Sequence, residues 1–277
     1  MGGFATNGTG RAVTRRFLQI EQIGCEKPLL MIVGNYGSGK TEVAVNLALA
    51  LARAGRRVGI ADLDVVNPYF RCREAKALME SAGVRVVVPS GAQSFSELPI
   101  VLPEIRSMLR PAAGEISLFD VGGDPVGAKL LSSFAEPLGD APYELWQVLN
   151  SRRPFTDSVD GCLRMRAGIE EASRLRVTGF IANSHLVAET TPDVIREGVR
   201  MGQEVSQRSG LPVVFFTAME ELVGHPDLPN EPIPLFVMRR IMLPPWVRPA
   251  GPGPEEAQDA QPQPAARAVP LGRRTGA

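Results

Sequence analysis

Histidine and cysteine are scarce in this chain, with two of the first and three of the second among 277 residues. His185 and His225 lie far apart, and Cys25, Cys72 and Cys162 form no C-x-x-C pair. That distribution argues against a metal centre built from imidazole and thiolate. The three cysteines read as free thiols of a reducing compartment. Net charge is missing too, with 30 Lys and Arg against 30 Asp and Glu. The balance supplies no electrostatic drive toward nucleic acid or an anionic membrane. No apolar run approaches the roughly 18 residues of a membrane span, and the N-terminus lacks the charged-then-apolar layout of a secretion signal. These absences predict a cytoplasmic protein with neither a membrane nor a nucleic-acid partner.

What is present is 44% hydrophobic residues, arranged as short apolar runs alternating with helix-length amphipathic segments. Strands are predicted over 29–33, 58–62, 84–88, 116–120, 145–149, 177–183, 213–216 and 233–237, with 238–243 as a further extended stretch. Helices are predicted over 40–54, 69–81, 98–109, 126–134, 159–175 and 192–209. Such alternation predicts an α/β fold of three layers, a mostly parallel sheet flanked by helices, spanning 28–243. Residues 1–27 read as a polar arm with an edge strand near 17–23. Residues 244–277 hold eight of the 24 prolines and few large apolar side chains. That tail buries too little surface to offset its ordering entropy and reads as disordered.

The most specific signal is Gly34-Asn35-Tyr36-Gly37-Ser38-Gly39-Lys40-Thr41. It fits G-x-x-x-x-G-K-[ST] and stands between an apolar strand and an amphipathic helix, the context a phosphate-binding loop requires. Its glycines allow tight turning and close approach to a ligand. Backbone amides at a helix start attract anions. Lys40 is placed to reach the β- and γ-phosphates, and the Thr41 hydroxyl to ligate Mg²⁺.

Two further strands end in acids. The second ends Asp62-Leu-Asp64, at the sheet edge where α/β folds bind ligands; these carboxylates suit Mg²⁺ and its waters, or an attacking group. The fourth reads Ile-Ser-Leu-Phe-Asp120-Val-Gly122-Gly123-Asp124. Asp120 is the better partner for Mg²⁺. Gly122 or Gly123 is placed to offer an amide to the γ-phosphate. Asp124 reads equally as a residue positioning water or as a solvated turn acid before Pro125. The catalytic candidates are Lys40, Asp62, Asp64, Asp120 and Asp124, and the metal candidates Thr41, Asp62 and Asp120.

The phosphate loop at 34–41, the D-L-D after the second strand and the D-V-G-G-D at 120–124 together resemble the SIMIBI class of P-loop proteins, with the nucleotide-binding domains of the MinD/ParA and CobQ/CobB type. The resemblance covers roughly 28–243. It implies ATP, Mg²⁺, slow hydrolysis and often a nucleotide-dependent dimer. It also places Asn183 after a late strand against the base, with Thr217 in the pocket wall. GTP specificity in such proteins rests on N-K-x-D; here Asn183 is followed by Ser, His and Leu, which favours ATP. MinD and ParA proteins carry an extra lysine early in the loop that reaches across the dimer; Asn35 stands there instead.

Among the other loops at that edge, Arg71 and Arg73 suit a phosphate or carboxylate clamp or a solvated helix face, and Arg152 and Arg153 are placed to face a second ligand. Two functions compete: an ATPase switch acting on a protein partner, and an ATP-dependent small-molecule kinase or ligase of the dethiobiotin synthetase or cobyrinate amidase kind. A homodimer is compatible with both. A metallochaperone-type NTPase is disfavoured by the dispersed Cys and His.

Overall fold

The central strands of this protein are largely apolar on both faces, because both faces are covered by helices, with buried polar residues such as Ser117 and Gln147 as exceptions. The computed structural model describes residues 5–6, 12–13, 15–64, 75–88, 103–122 and 125–242. The tail expected over 244–277 lies outside the described residues, as do Arg71, Arg73, Gly123 and Asp124.

A short antiparallel ribbon pairs β1 (Ala5–Thr6) with β2 (Ala12–Val13). The main sheet follows, with β3 (Leu29–Gly34), β4 (Arg57–Leu63), β5 (Arg85–Val87), β6 (Glu115–Val121), β7 (Tyr143–Leu149), β8 (Gly179–Ala182), β9 (Val213–Met219) and β10 (Leu235–Met238). Its eight strands run in the order β10-β9-β8-β7-β3-β6-β4-β5. Every pairing in it is parallel, so the expected mostly parallel sheet is wholly so. The order places the phosphate-loop strand β3 between β6 and β7.

The helices are α1 (Lys40–Arg53), α2 (Lys76–Ser81), α3 (Pro103–Met108), α4 (Pro125–Ala128), α5 (Ser132–Leu138), α6 (Val159–Ser173) and α7 (Pro192–Ser209). Period-two alternation in β3 splits the core. Leu30 and Ile32 join Val43, Leu47 and Leu51 of α1 in one layer, while Leu29, Met31 and Val33 join Phe119, Phe134 and Phe180 in the other. Helix α7 matches its expected bounds because its ends are written in the sequence. The Thr191 hydroxyl accepts from Val194 N, Pro192 opens the first turn, and Gly210 closes it in the left-handed conformation.

Three expectations change. The helix predicted over 126–134 is broken into α4, a 3-10 turn at Lys129–Leu131, and α5, which runs to Leu138 with Pro137 inside it. The start of α4 is pressed against the end of β6: a Cβ added to Gly127 would lie 2.6 Å from the Cα of Gly122. Only glycine at both positions permits that backbone contact. The edge strand expected over 17–23 reduces to a single bridge, Phe17 to Leu235, followed by a 3-10 turn at Ile20–Gln22. Arg15 fixes this segment by donating to the carbonyls of Val223, Leu228 and Pro229 at 2.8, 3.0 and 3.2 Å.

The third change is at 238–243, where β10 stops at Met238 and the chain turns onto α1. Asn46 donates to the Arg239 carbonyl at 2.9 Å and accepts from its amide at 2.8 Å. Glu42 accepts from Ile241 N at 2.6 Å and Met242 N at 3.0 Å. Burial pushes the Glu42 carboxyl above its ordinary value, while these two amides and Arg240 pull it back.

Candidate functional site

Parallel strands direct their carboxyl ends to one edge, and the sequence places its polar residues there. Between β3 and α1 the backbone turns through Asn35–Gly39. Ser38 N donates to the Asn35 carbonyl at 3.0 Å, and Tyr36 N to the Asn35 side chain at 2.8 Å. Gly39 is the N-cap of α1 at φ 84°, where a Cβ would strike Asn183 and lie 2.8 Å from His185 Nε2. A side chain is thus barred there by both conformation and space.

Lys40 opens α1 and is buried, its Nζ 2.6 Å from Asp64 Oδ2 with both side chains nearly inaccessible. Asp64 N donates to Asp62 Oδ1 at 3.1 Å. Asp62 lies opposite Asp120 in the β4–β6 register, so three acids and one lysine share one pocket of charge. Asp120 is fully buried, and among the described residues neither of its oxygens completes a hydrogen bond. Burial pushes its carboxyl up to about 8, aided by Asp62 and Asp64 and opposed by Lys40 and the nearby Thr41 hydroxyl. A buried carboxyl with no completed hydrogen bond, only partly offset by a nearby cation, carries a large desolvation cost when ionised. Thr41, Asp62 and Asp120 therefore form a donor set that a hard divalent cation fits. Among the described residues no cluster of three or more His, Cys, Asp or Glu is spaced to hold a metal by itself. A cation here would complete its shell with water and phosphate oxygens, as Mg²⁺ does.

Asn183, just past β8, spends both ends of its amide inside the protein. It donates to the Ser38 carbonyl at 2.7 Å and accepts from Thr217 Oγ1 at 2.5 Å. The sequence-derived base contact and pocket wall thus form a brace from β9 to the phosphate loop. The loop after β7 adds a second brace. Asn35 Nδ2 donates to the Pro154 carbonyl at 2.6 Å, and Arg153 Nε to the Gly37 carbonyl at 3.0 Å. Buried Asn150 anchors this loop, accepting from Arg152 N and His185 N and receiving its own support from Thr156. Asn150 was not singled out as a site residue; the signal was its place immediately after a parallel strand. Arg152 faces Glu197 in an ion pair. Tyr36, at the loop tip, is 57% exposed.

His185 lies against Gly39, and its Nδ1 accepts from Val187 N at 3.4 Å. Burial lowers its pKa to about 4, with Arg153 and Arg240 adding to the shift. An unfolded histidine near 6.5 binds a proton that the folded one refuses, so His185 contributes stability above pH 6.5 that is lost as pH falls toward 4. We expect His185→Asn to flatten the fall in stability between pH 6.5 and 4 by up to roughly 3 kcal/mol. Urea titrations across that range check it; parallel curves for the two proteins would refute the assignment.

Residues 25–83 match the family model described as ParA: NUBPL iron-transfer P-loop NTPase. An iron-sulfur cluster carrier protein of Deinococcus radiodurans is 46% identical over 57 residues, 21% of this chain and 16% of that protein. The cytosolic Fe-S cluster assembly factor CFD1 of Yarrowia lipolytica is 34% identical over 64 residues, 22% of each chain. These alignments thus reach about a fifth or less of the relatives' own length. Among solved structures, the cell division protein FtsY of Thermotoga maritima aligns at 22% identity with a TM-score of 0.48, over 69% of this chain and 61% of that one. No helix among the described residues is long and apolar enough to cross a membrane. The matched segment holds the phosphate loop, its flanking β3 and α1, and Asp62 and Asp64 at the end of β4; over that segment the chain is similar to ParA-type P-loop NTPases, in keeping with the SIMIBI class its motifs resemble.

Proposed function

We propose that this protein is a Mg²⁺-dependent ATPase switch acting on a protein partner. The observation that carries the reading is the orphaned Asp120 carboxylate beside the buried Lys40–Asp64 pair at the start of α1. A lysine and three acids so placed have little structural justification, since buried charge is costly unless a ligand repays it. In this reading the amides of 37–41 and the Lys40 ammonium bind the β- and γ-phosphates, and Thr41, Asp62 and Asp120 hold the cation. The cation, when bound, neutralises developing charge on the phosphates. Asp64, released from Lys40, orients the attacking water. Gly122 brings its amide toward the terminal phosphate. Leu186, exposed three residues after Asn183, stands where an N-K-x-D pattern would have its aspartate and offers no carboxylate to a guanine edge, which favours ATP.

A cluster-carrying role, as in the names of the two relatives, has weaker support. Their likeness is confined to the stretch around the phosphate loop. Cys162 is buried and its thiol pushed up to about 12, far from the thiolate a metal requires.

Steady-state phosphate release tests the proposal. Turnover with ATP is expected to exceed that with GTP at least tenfold, and to fall to background when EDTA removes Mg²⁺. Turnover that is indifferent to EDTA, or faster with GTP, would refute it.

A further inference from the structure

We infer that Arg153 is a positioning residue for the phosphate chain of the bound nucleotide. The inference rests on the nucleotide reading above and extends it to a residue on another strand's loop. Lys40, the cation within the phosphate loop, is neutralised by Asp64 at 2.6 Å. Asn35 and Tyr36 bring no charge. Among the described residues, Arg153 is a cation laid on the loop from outside, its Nε donating to the Gly37 carbonyl at 3.0 Å. So close is the contact that a Cβ on Gly37 would lie 2.8 Å from that nitrogen. Among the described residues, no carboxylate pairs with Arg153, and its two terminal nitrogens make no hydrogen bond. Its neighbour Arg152, by contrast, is paired with Glu197. A part-buried guanidinium with spare donors and an unneutralised charge recognises an anion with several oxygens, and a polyphosphate is such an anion.

Two physical consequences follow. The Nε bond, with the Asn35–Pro154 bond beside it, holds the turn of the loop in one shape, which lowers the ordering cost of binding. The unspent charge favours the more highly charged nucleotide, so ATP gains more than ADP. Because Arg153 touches the loop backbone, its part in catalysis is to hold the loop, not to react.

Fluorescent ATP and ADP titrations of the full chain, with and without Mg²⁺, compare wild type, Arg153→Gln, Arg153→Lys and Lys40→Ala. Arg153→Gln is expected to weaken ATP about tenfold and ADP about threefold, with the nucleotide-free melting temperature unchanged. Arg153→Lys, which keeps the charge, is expected to recover most of the ATP preference. Wild-type affinity for both nucleotides in Arg153→Gln would overturn the inference while leaving the nucleotide reading intact. So would an equal loss for both accompanied by a lower melting temperature, which marks a scaffold residue. A wild type that binds neither nucleotide, like Lys40→Ala, would overturn the reading and the inference together.

Discussion

Lys40→Ala is expected to reduce ATP affinity and turnover at least a hundredfold. The ammonium supplies the main cationic contact to the β- and γ-phosphates, and removing one preorganised donor of that kind costs about 2.7–4 kcal/mol. The structure adds a complication absent from the sequence, where Lys40 reads as a ligand-facing residue with no part in the core. It is buried and paired with Asp64 at 2.6 Å. Truncating it strips a buried carboxylate of its cation, which costs stability of about 3–5 kcal/mol. The single variant is therefore expected to lose binding and to melt earlier. Lys40→Ala combined with Asp64→Asn removes the uncompensated charge, and should recover most of the melting temperature without recovering binding. Calorimetry with and without ATP separates the effects. Normal ATP affinity in the stable double variant would sink the phosphate-loop assignment.

Asp120→Asn is expected to cut hydrolysis about 10²–10³-fold while changing ATP affinity by less than tenfold. The amide keeps the shape but removes the charge that would face the cation, and turnover depends more on that placement than ground-state binding does. The same substitution has an opposite effect on the nucleotide-free fold. The folded Asp120 carboxyl titrates near 8 against an ordinary 3.8. Its folded pKa is raised, so its penalty is absent below pH 4 and grows as pH rises toward 8. Asp120→Asn should thus leave the nucleotide-free melting temperature near wild type below pH 4 and raise it progressively up to pH 9. A gain of activity at the expense of stability is the usual relation at a functional site. An Asn variant that turns over ATP normally, or that melts earlier at pH 9, would remove Asp120 from the cation-binding set.

The fold was legible where the hydrophobic period was unambiguous and punctuated. The apolar run before Gly34, the capping residues of α7 and the acid-terminated strand at Asp120 all report local chemistry. The sequence was less informative where the outcome depended on a partner distant in the chain. Extended chain was expected over 238–243, yet Glu42 and Asn46 of α1 capture that backbone across about two hundred residues. Helix 126–134 was legible as helical but not as broken, because the break accompanies contact between two glycine backbones. In the site, the phosphate loop and the three acids were readable from spacing. The pairing of Lys40 with Asp64 and the double brace of Asn183 were not, since neither leaves a periodic trace.

The position of β3 has a consequence for how this protein comes into being. It is the first long strand to be synthesised, all six of its residues are buried, and it ends up between β6 and β7. Neither neighbour exists until the ribosome has added residues 115–149. At ordinary rates of translation that delay is on the order of ten seconds. During it, an apolar segment with unpaired backbone groups waits in the nascent chain, able to pair with another copy of itself. Completion of the domain waits longer still, for Arg239 to reach Asn46 and Ile241 and Met242 to reach Glu42. Newly made chains stalled before Met238 should therefore be prominent clients of ribosome-associated chaperones, whereas the finished protein should need none.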